Sequence, residues 1–273
     1  MAVVKVKCPY CGTEDVIEYG FSQSGKKRYE CRNPECPHRT FQLDYSYIAK
    51  QPGIAEKIVD MAMNGSGTRD TARVLGIDKD TVTRHLRKLS VSVQHVNTEF
   101  LNNIGDRQID VIITNPMEDN PGLGADSDIA DENGVGRVGI GLGAEMDEQW
   151  SWVHDKHHQC WLWWAVDHET NTPLAFTFGT HEHKNLDVLM TLLEPLNINV
   201  YYTDNHFAYR TRIADDKLMI GKRNTQKIER NHLTLRTRIK RLARKTICFS
   251  KSQDIHETVI GTFINRYFFG CVA

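Results

Sequence analysis

Trp161-Leu-Trp-Trp-Ala-Val166 and Leu174-Ala-Phe-Thr-Phe178 are two apolar, aromatic-rich runs separated by the turn residues His168-Glu-Thr-Asn-Thr-Pro173, a pattern that predicts a β-hairpin. The residues around this hairpin decide the fold class. Residues 185–196 repeat apolar side chains at helical spacing, and Asn199-Val-Tyr-Tyr-Thr203 is strand-like again. Upstream, residues 138–146 read as a strand. Downstream, Leu218-Met-Ile220 reads as a short strand and residues 224–244 as a long basic helix.

Three strands, a helix, a strand and then further helices is the order of a ribonuclease H-like α/β domain, expected over residues 138–273. That order gives three acids a geometry. Asp147, in Ala144-Glu-Met-Asp-Glu-Gln-Trp150, is expected to end the first strand, and Asp204 the fourth. Those two strands neighbour one another in such a sheet, so both carboxylates emerge at one edge, and Glu229, in Gln226-Lys-Ile-Glu-Arg230, joins them from the helix. Three carboxylates close together repel unless cations lie between them, and hard oxygen ligands suit Mg²⁺ or Mn²⁺. Two such ions ~3.5 to 4 Å apart activate a water or a 3′-hydroxyl and stabilise the leaving oxygen, which is the chemistry of phosphodiester cleavage and strand transfer. Arg236 lies seven residues beyond Glu229, ~10 Å along the same helix face, where it can hold a DNA phosphate.

The first ninety residues carry a different chemistry. Cys8-Pro-Tyr-Cys11 and Cys31-Arg-Asn-Pro-Glu-Cys36 are two cysteine knuckles, and four thiolates in a tetrahedron are a structural Zn²⁺ site, so residues 1–48 are expected to form a zinc ribbon. His38 is an alternative to Cys36 as the fourth ligand. Residues 49–95 then read as a helix-turn-helix: an apolar helix from Ile54, a short helix from Thr68 to Leu75, the turn Gly76-Ile77-Asp78, and a second helix over residues 79–88. Ala72, Leu75, Ile77, Val82 and Leu86 face inward. Thr81, Thr83, Arg84, Arg87 and Lys88 are left for phosphates and base edges in the major groove of double-stranded DNA.

The chain of 273 residues has a net charge of −1 that conceals blocks of opposite sign. Residues 205–273 hold 15 Lys+Arg against 5 Asp+Glu, whereas residues 91–147 hold 2 against 11. A basic third beside an acidic middle is the asymmetry of a protein that meets a polyanion on one surface. No window approaches the ~20 apolar residues of a membrane span, and the N-terminus lacks the apolar core of an export signal, so the expected location is the cytoplasm, with no membrane partner. Residues 96–137 read as a linker with an acidic, Gly- and Pro-containing loop. Gly134-x-Gly136-x-x-Gly139 matches a dinucleotide fingerprint only in letters, because it precedes a strand instead of following one. His154, His157, His158, His181 and His183 are expected in solvated loops without a carboxylate or cysteine partner.

The residues also resemble a known family over nearly the whole length. Cys8-Pro-Tyr-Cys, Gln51-Pro-Gly, Met61-Ala-Met-Asn-Gly, Arg84-His-Leu, Ala144-Glu-Met-Asp-Glu-Gln-Trp150, Thr203-Asp, Thr225-Gln-Lys-Ile-Glu-Arg230, Phe249-Ser-Lys-Ser252 and Val259-Ile-Gly261 look like the transposases of the Insertion Sequence 1 family. The resemblance implies a zinc finger and helix-turn-helix that bind terminal inverted repeats, a DDE domain that cuts and joins DNA, and Asp147, Asp204 and Glu229 as its triad. Two ends must be joined together, so a homo-oligomer on element ends and target DNA is expected. The rival reading is a zinc-ribbon and helix-turn-helix regulator whose C-terminal domain only oligomerises.

Overall fold

A computed structural model describes residues 5–103, 142–221 and 225–271. The expected acidic loop, the Gly134 to Gly139 motif and the start of the strand expected at residue 138 lie outside the described residues. The chain divides into two compact units, residues 1–91 and 92–273.

The N-terminal unit opens with a three-stranded antiparallel sheet in the order β1 (Val16–Phe21), β2 (Lys27–Cys31), β3 (Thr40–Gln42). Its core is small: Cys8, Cys31 and Phe41, with Val6, Val16 and Tyr29 packed against them. So few apolar side chains do not hold a fold of this size without a further constraint. Three helices follow, α1 (Ile54–Met63), α2 (Thr68–Leu75) and α3 (Lys79–Ser90). Gly76 ends α2 in the left-handed region, at φ 66°, where a side chain would be strained. Asp78 then starts α3, its side chain accepting the Asp80 N–H at 2.7 Å. Val82 and Leu86 of α3 are buried, together with Thr71 and Ala72 of α2.

The C-terminal unit is built on a five-stranded mixed sheet in the order β6-β5-β4-β7-β8, formed by β4 (Gly143–Val153), β5 (Asp155–Asp167), β6 (Pro173–Gly179), β7 (Val200–Thr203) and β8 (Leu218–Ile220). β4, β5 and β6 pair antiparallel, while β4, β7 and β8 run parallel. Trp163, Trp164, Ala165 and Val166 are all buried, as a strand covered on both faces requires. On one face, α5 (His183–Leu193) and α6 (Phe207–Arg212) pack Leu186, Leu189, Leu193 and Tyr209 against Ala144, Met146 and Trp163. On the other, α7 (Gln226–Arg238) meets Trp164 through His232, α8 (Gln253–Tyr267) meets Ser151 through His256, and Phe268, directly after α8, packs on Trp164.

Several expectations change. The first strand runs on to Val153, so Asp147 stands in its middle rather than at its end. The long basic helix stops at Arg238, where Ile239 turns to an extended conformation and is buried, and a single 3₁₀ turn, Lys240–Leu242, follows. Burial of two apolar side chains here overrides the helical preference of their basic neighbours. Residues 92–103 belong to the C-terminal unit, not to the helix-turn-helix and linker expected there from local pattern. Val96 bridges to Ala175, Asn97 donates through its amide to the Pro173 carbonyl, and α4 (Thr98–Asn103) follows. Gly261 permits this approach, since a Cβ there would lie 2.5 Å from Val93.

Candidate functional site

The parallel pairing of β4 and β7 matches Gly143 with Val200, Ala144 with Tyr201 and Glu145 with Tyr202. Continued by two residues, that register sets Asp147 opposite Asp204, which directly follows β7. Alternate residues of a strand share a face, so Asp147 points with Glu145 toward α7. Glu145 ties that helix down: its buried carboxylate accepts the Ile228 N–H at 3.1 Å through Oε2 and faces His168 Nδ1 at 2.9 Å through Oε1. A carboxylate at a helix N-terminus satisfies an otherwise orphaned donor and complements the helix dipole. One residue further on, in the first turn of α7, is Glu229.

Asp147 is half-buried, whereas Asp204 and Glu229 are exposed. Burial pushes the Asp147 carboxyl from 3.8 up to about 7; the Glu148 N–H pulls it down, Asp204 and Glu229 add their repulsion, and Arg236 opposes them. The three carboxylates and Arg236 are therefore in electrostatic reach of one another around Asp147. Their oxygens do not all lie within 4.8 Å of one another. Asp147 Oδ1 accepts the Glu148 N–H at 2.8 Å, and Asp204 Oδ1 accepts the His206 N–H at 2.9 Å.

Sequence reading missed His232. Its ring stacks on Trp164, and its Nε2 accepts the Trp164 indole N–H at 2.7 Å. Burial, reinforced by Arg236, pushes its pKa down to about 3, so the ring is neutral and carries its one proton on Nδ1. That nitrogen faces Asp147 Oδ2 at 3.4 Å. Three-residue spacing from Glu229 places both side chains on one side of α7, a signal present in the sequence. Glu145 gave no such signal, because its partners lie 23 and 83 residues away.

Four of the histidines expected in loops have carboxylate neighbours after all, whereas His183 starts α5 with its Nδ1 buried and without a hydrogen-bond partner among the described residues. His157 and His158 lie on β5, and His154 and His158 both contact Asp155. His181 comes together with Glu148 and His206 on the α5 and α6 face. Strand pairing and sheet packing bring in partners that are remote in sequence. Burial pushes the Glu148 carboxyl up to about 8, with the nearby Tyr209 hydroxyl acting the other way and Asp147 and Asp204 reinforcing the rise.

In the N-terminal unit the sulfurs of Cys8, Cys11, Cys31 and Cys36 lie within 4.8 Å of one another, with Cys8 to Cys36 at 3.8 Å and Cys11 to Cys31 at 3.6 Å. Zn–S bonds of ~2.3 Å in a tetrahedron require sulfurs ~3.8 Å apart, so the donor set fits zinc. His38 is outside this cluster and stacks on Tyr10 at 3.8 Å. On α3, Arg84, Arg87 and Lys88 are exposed. Thr81 and Thr83 are half-buried and already bonded, Thr81 to the Tyr47 hydroxyl at 2.7 Å and Thr83 to the Lys79 carbonyl at 3.1 Å.

Comparison with known proteins gives matches along most of the chain. Residues 140–270 match the family model described as IS1 transposase, residues 45–90 the InsA C-terminal domain, a helix-turn-helix, and residues 1–36 the InsA N-terminal domain, a zinc ribbon. The chain is 52% identical over 130 residues to the insertion element iso-IS1n protein InsB of Shigella dysenteriae, covering 48% of this chain and 99% of that protein. It is 43% identical over 122 residues to the insertion element IS1 protein InsB of Shigella sonnei, covering 45% and 93%, and equally so to the IS1 9 protein InsB of Escherichia coli K12, covering 45% and 73%.

Proposed function

We propose, from the premise that this chain belongs to the IS1 transposase family and is a DNA transposase with a DNA-binding helix-turn-helix, that Asp147, Asp204 and Glu229 are its catalytic triad on a ribonuclease H-like sheet. The observation that carries this reading is the register of β4 and β7, which sets Asp147 against Asp204, with Glu229 beside them on the helix that Glu145 fastens to β4. Sheet order, with three antiparallel strands on one side and two parallel additions on the other, supports the fold assignment.

Three carboxylates fit Mg²⁺ or Mn²⁺ through their oxygen donors. When bound, such ions supply the activated nucleophile and stabilise the leaving oxygen. The chain's own residues prepare the site. His232, locked by Trp164, faces Asp147 Oδ2 through Nδ1 at 3.4 Å and supports that carboxylate from the α7 side. Arg236 is in electrostatic reach of Asp147 and is placed to take a phosphate of the DNA. The Cys8, Cys11, Cys31 and Cys36 thiolates would hold the structural Zn²⁺ of the ribbon, and Arg84, Arg87 and Lys88 project from α3 for the element ends, with Thr81 and Thr83 bracing that face. Joining two ends at one target calls for a homo-oligomer on the DNA.

A strand-transfer assay with Mg²⁺ on DNA carrying the element ends tests the triad: Asp147→Ala, Asp204→Ala and Glu229→Ala should each abolish joining while leaving end binding intact. Normal joining by any one of them refutes the assignment. End binding by the wild type should weaken with salt, log K falling by roughly 0.9 per phosphate neutralised, and Arg84→Ala should flatten that slope.

A further inference from the structure

Glu148, His181 and His206 stand on different elements, β4, the loop before α5 and the residue that starts α6. Yet each offers a metal-ligating atom within 4.8 Å of the others. We propose that these three side chains form a second metal site of the C-terminal unit, one that takes a zinc-class divalent transition metal and is separate from the Asp147, Asp204 and Glu229 carboxylates.

Separation follows from the strand. Asp147 and Glu148 are consecutive in β4 and point to opposite faces. Asp147 faces α7, and Glu148 faces α5 and α6 beside Trp163, its cross-strand neighbour. Donor chemistry distinguishes the two sites as well. Two imidazoles and one carboxylate, with at least one position left open, match zinc and its neighbours in the transition series, whereas an all-oxygen set matches magnesium.

The side chains are held as ligands would be. Among the described residues, Glu148 Oε1 is buried and makes no well-formed hydrogen bond, with the Tyr209 hydroxyl as the neighbouring donor, so the carboxylate has capacity left for a further charge. His181 is stacked on Trp161 at 4.0 Å, and its ring lies 4.6 Å from that of His206. Bonds of ~2.1 Å set ligand atoms ~3.4 Å apart in a tetrahedron, inside the 4.8 Å within which the three groups already lie. One hydrogen bond of His206 competes with ligation, because its Nδ1 accepts the Ala208 N–H at 3.3 Å and so caps α6. Coordination through either nitrogen ends that long bond, since a ring that ligates through Nε2 carries its proton on Nδ1. Occupancy also reaches the catalytic side, since the His206 N–H holds Asp204 Oδ1. A metal on the His206 ring fixes the segment that carries Asp204.

Zinc content per chain tests the site on the full-length protein, purified from zinc-supplemented medium and passed through gel filtration. Wild type should retain one zinc more than His206→Asn or Glu148→Gln, while the ribbon zinc stays in all three. Asn is itself a good helix N-cap and Gln is nearly isosteric with Glu, so both substitutions keep the packing, which melting curves verify. In the cobalt-substituted protein, the variants should lose a weak nitrogen-oxygen visible band and keep the intense four-thiolate spectrum. Equal zinc in wild type and both variants overturns the proposal. So does an extra zinc that survives His206→Asn and disappears with His158→Ala, which would place the ion on the exposed His154, Asp155 and His158 group. Either result leaves the strand-transfer assignment untouched.

Discussion

Replacing Asp147 by Asn removes a charge from a place that disfavours it, and the gain in stability can be worked from the site. Displacement of its carboxyl from 3.8 to about 7, chiefly by burial, corresponds to about 4 kcal/mol at ~1.36 kcal/mol per pH unit. Below pH 4 the group is protonated whether the chain is folded or unfolded, and it contributes no difference. Between pH 4 and 7 the folded state keeps a proton that the unfolded state has released, so stability falls as pH rises. Above pH 7 the full penalty is present. Asp147→Asn abolishes that slope. At roughly 2 to 4 °C per kcal/mol for a domain of this size, the upper limit is a melting temperature ~8 to 16 °C above wild type at pH 8, shrinking toward zero at pH 4. The side chain keeps 21% of its exposure, and solvent screening should bring the observed gain to about half of that limit. All five tryptophans lie on β4 and β5, so their fluorescence follows the C-terminal unit alone. The melts should be run on zinc-loaded full-length chain with and without Mg²⁺, which should raise the wild type and leave the variant unmoved. Equal melting temperatures at pH 8 without Mg²⁺, or a gap that does not change with pH, would refute the reasoning.

Glu145→Ala strips the buried acceptor from the Ile228 N–H and from His168, a loss of about 1 to 3 kcal/mol that should appear as a lower urea midpoint by tryptophan fluorescence; an unchanged midpoint means that the clamp on α7 contributes nothing. Cys36→Ser should release the ribbon zinc and with it end binding, while His38→Ala retains both. Zinc analysis and gel shifts on the two variants separate the candidate fourth ligands, and the reverse outcome would reassign the site to His38.

Much of the architecture was legible because it rests on local pattern. The hairpin at 168–173, the helix after it and the strand ending before Asp204 come from alternation and turn residues, which act over a few positions. Errors arose where a long-range contact outweighed a local preference. β4 continues past Asp147 because β5 pairs with it along its length, from Ala144 with Asp167 to Val153 with Asp155. α7 ends early because Ile239 and Leu242 are drawn into the core. Residues 92–95 read with the helix-turn-helix and residues 96 and 97 as linker, having no period of their own, yet they are held by Gly261, Asn265 and the edge of β6.

By itself the sequence determined the chemistry available to this transposase: four cysteines in two knuckles, a basic recognition helix, and three acids each tied to a recognisable strand or helix. Residue identity and short spacing carry that information. Only the tertiary structure decided which groups meet. The one-residue step from Asp147 to Glu148 sends one carboxylate to α7 and His232 and the other to His181 and His206, and both sets of partners are far off along the chain. A strand's alternation is written in its sequence, but what covers each of its two faces depends on packing among distant elements.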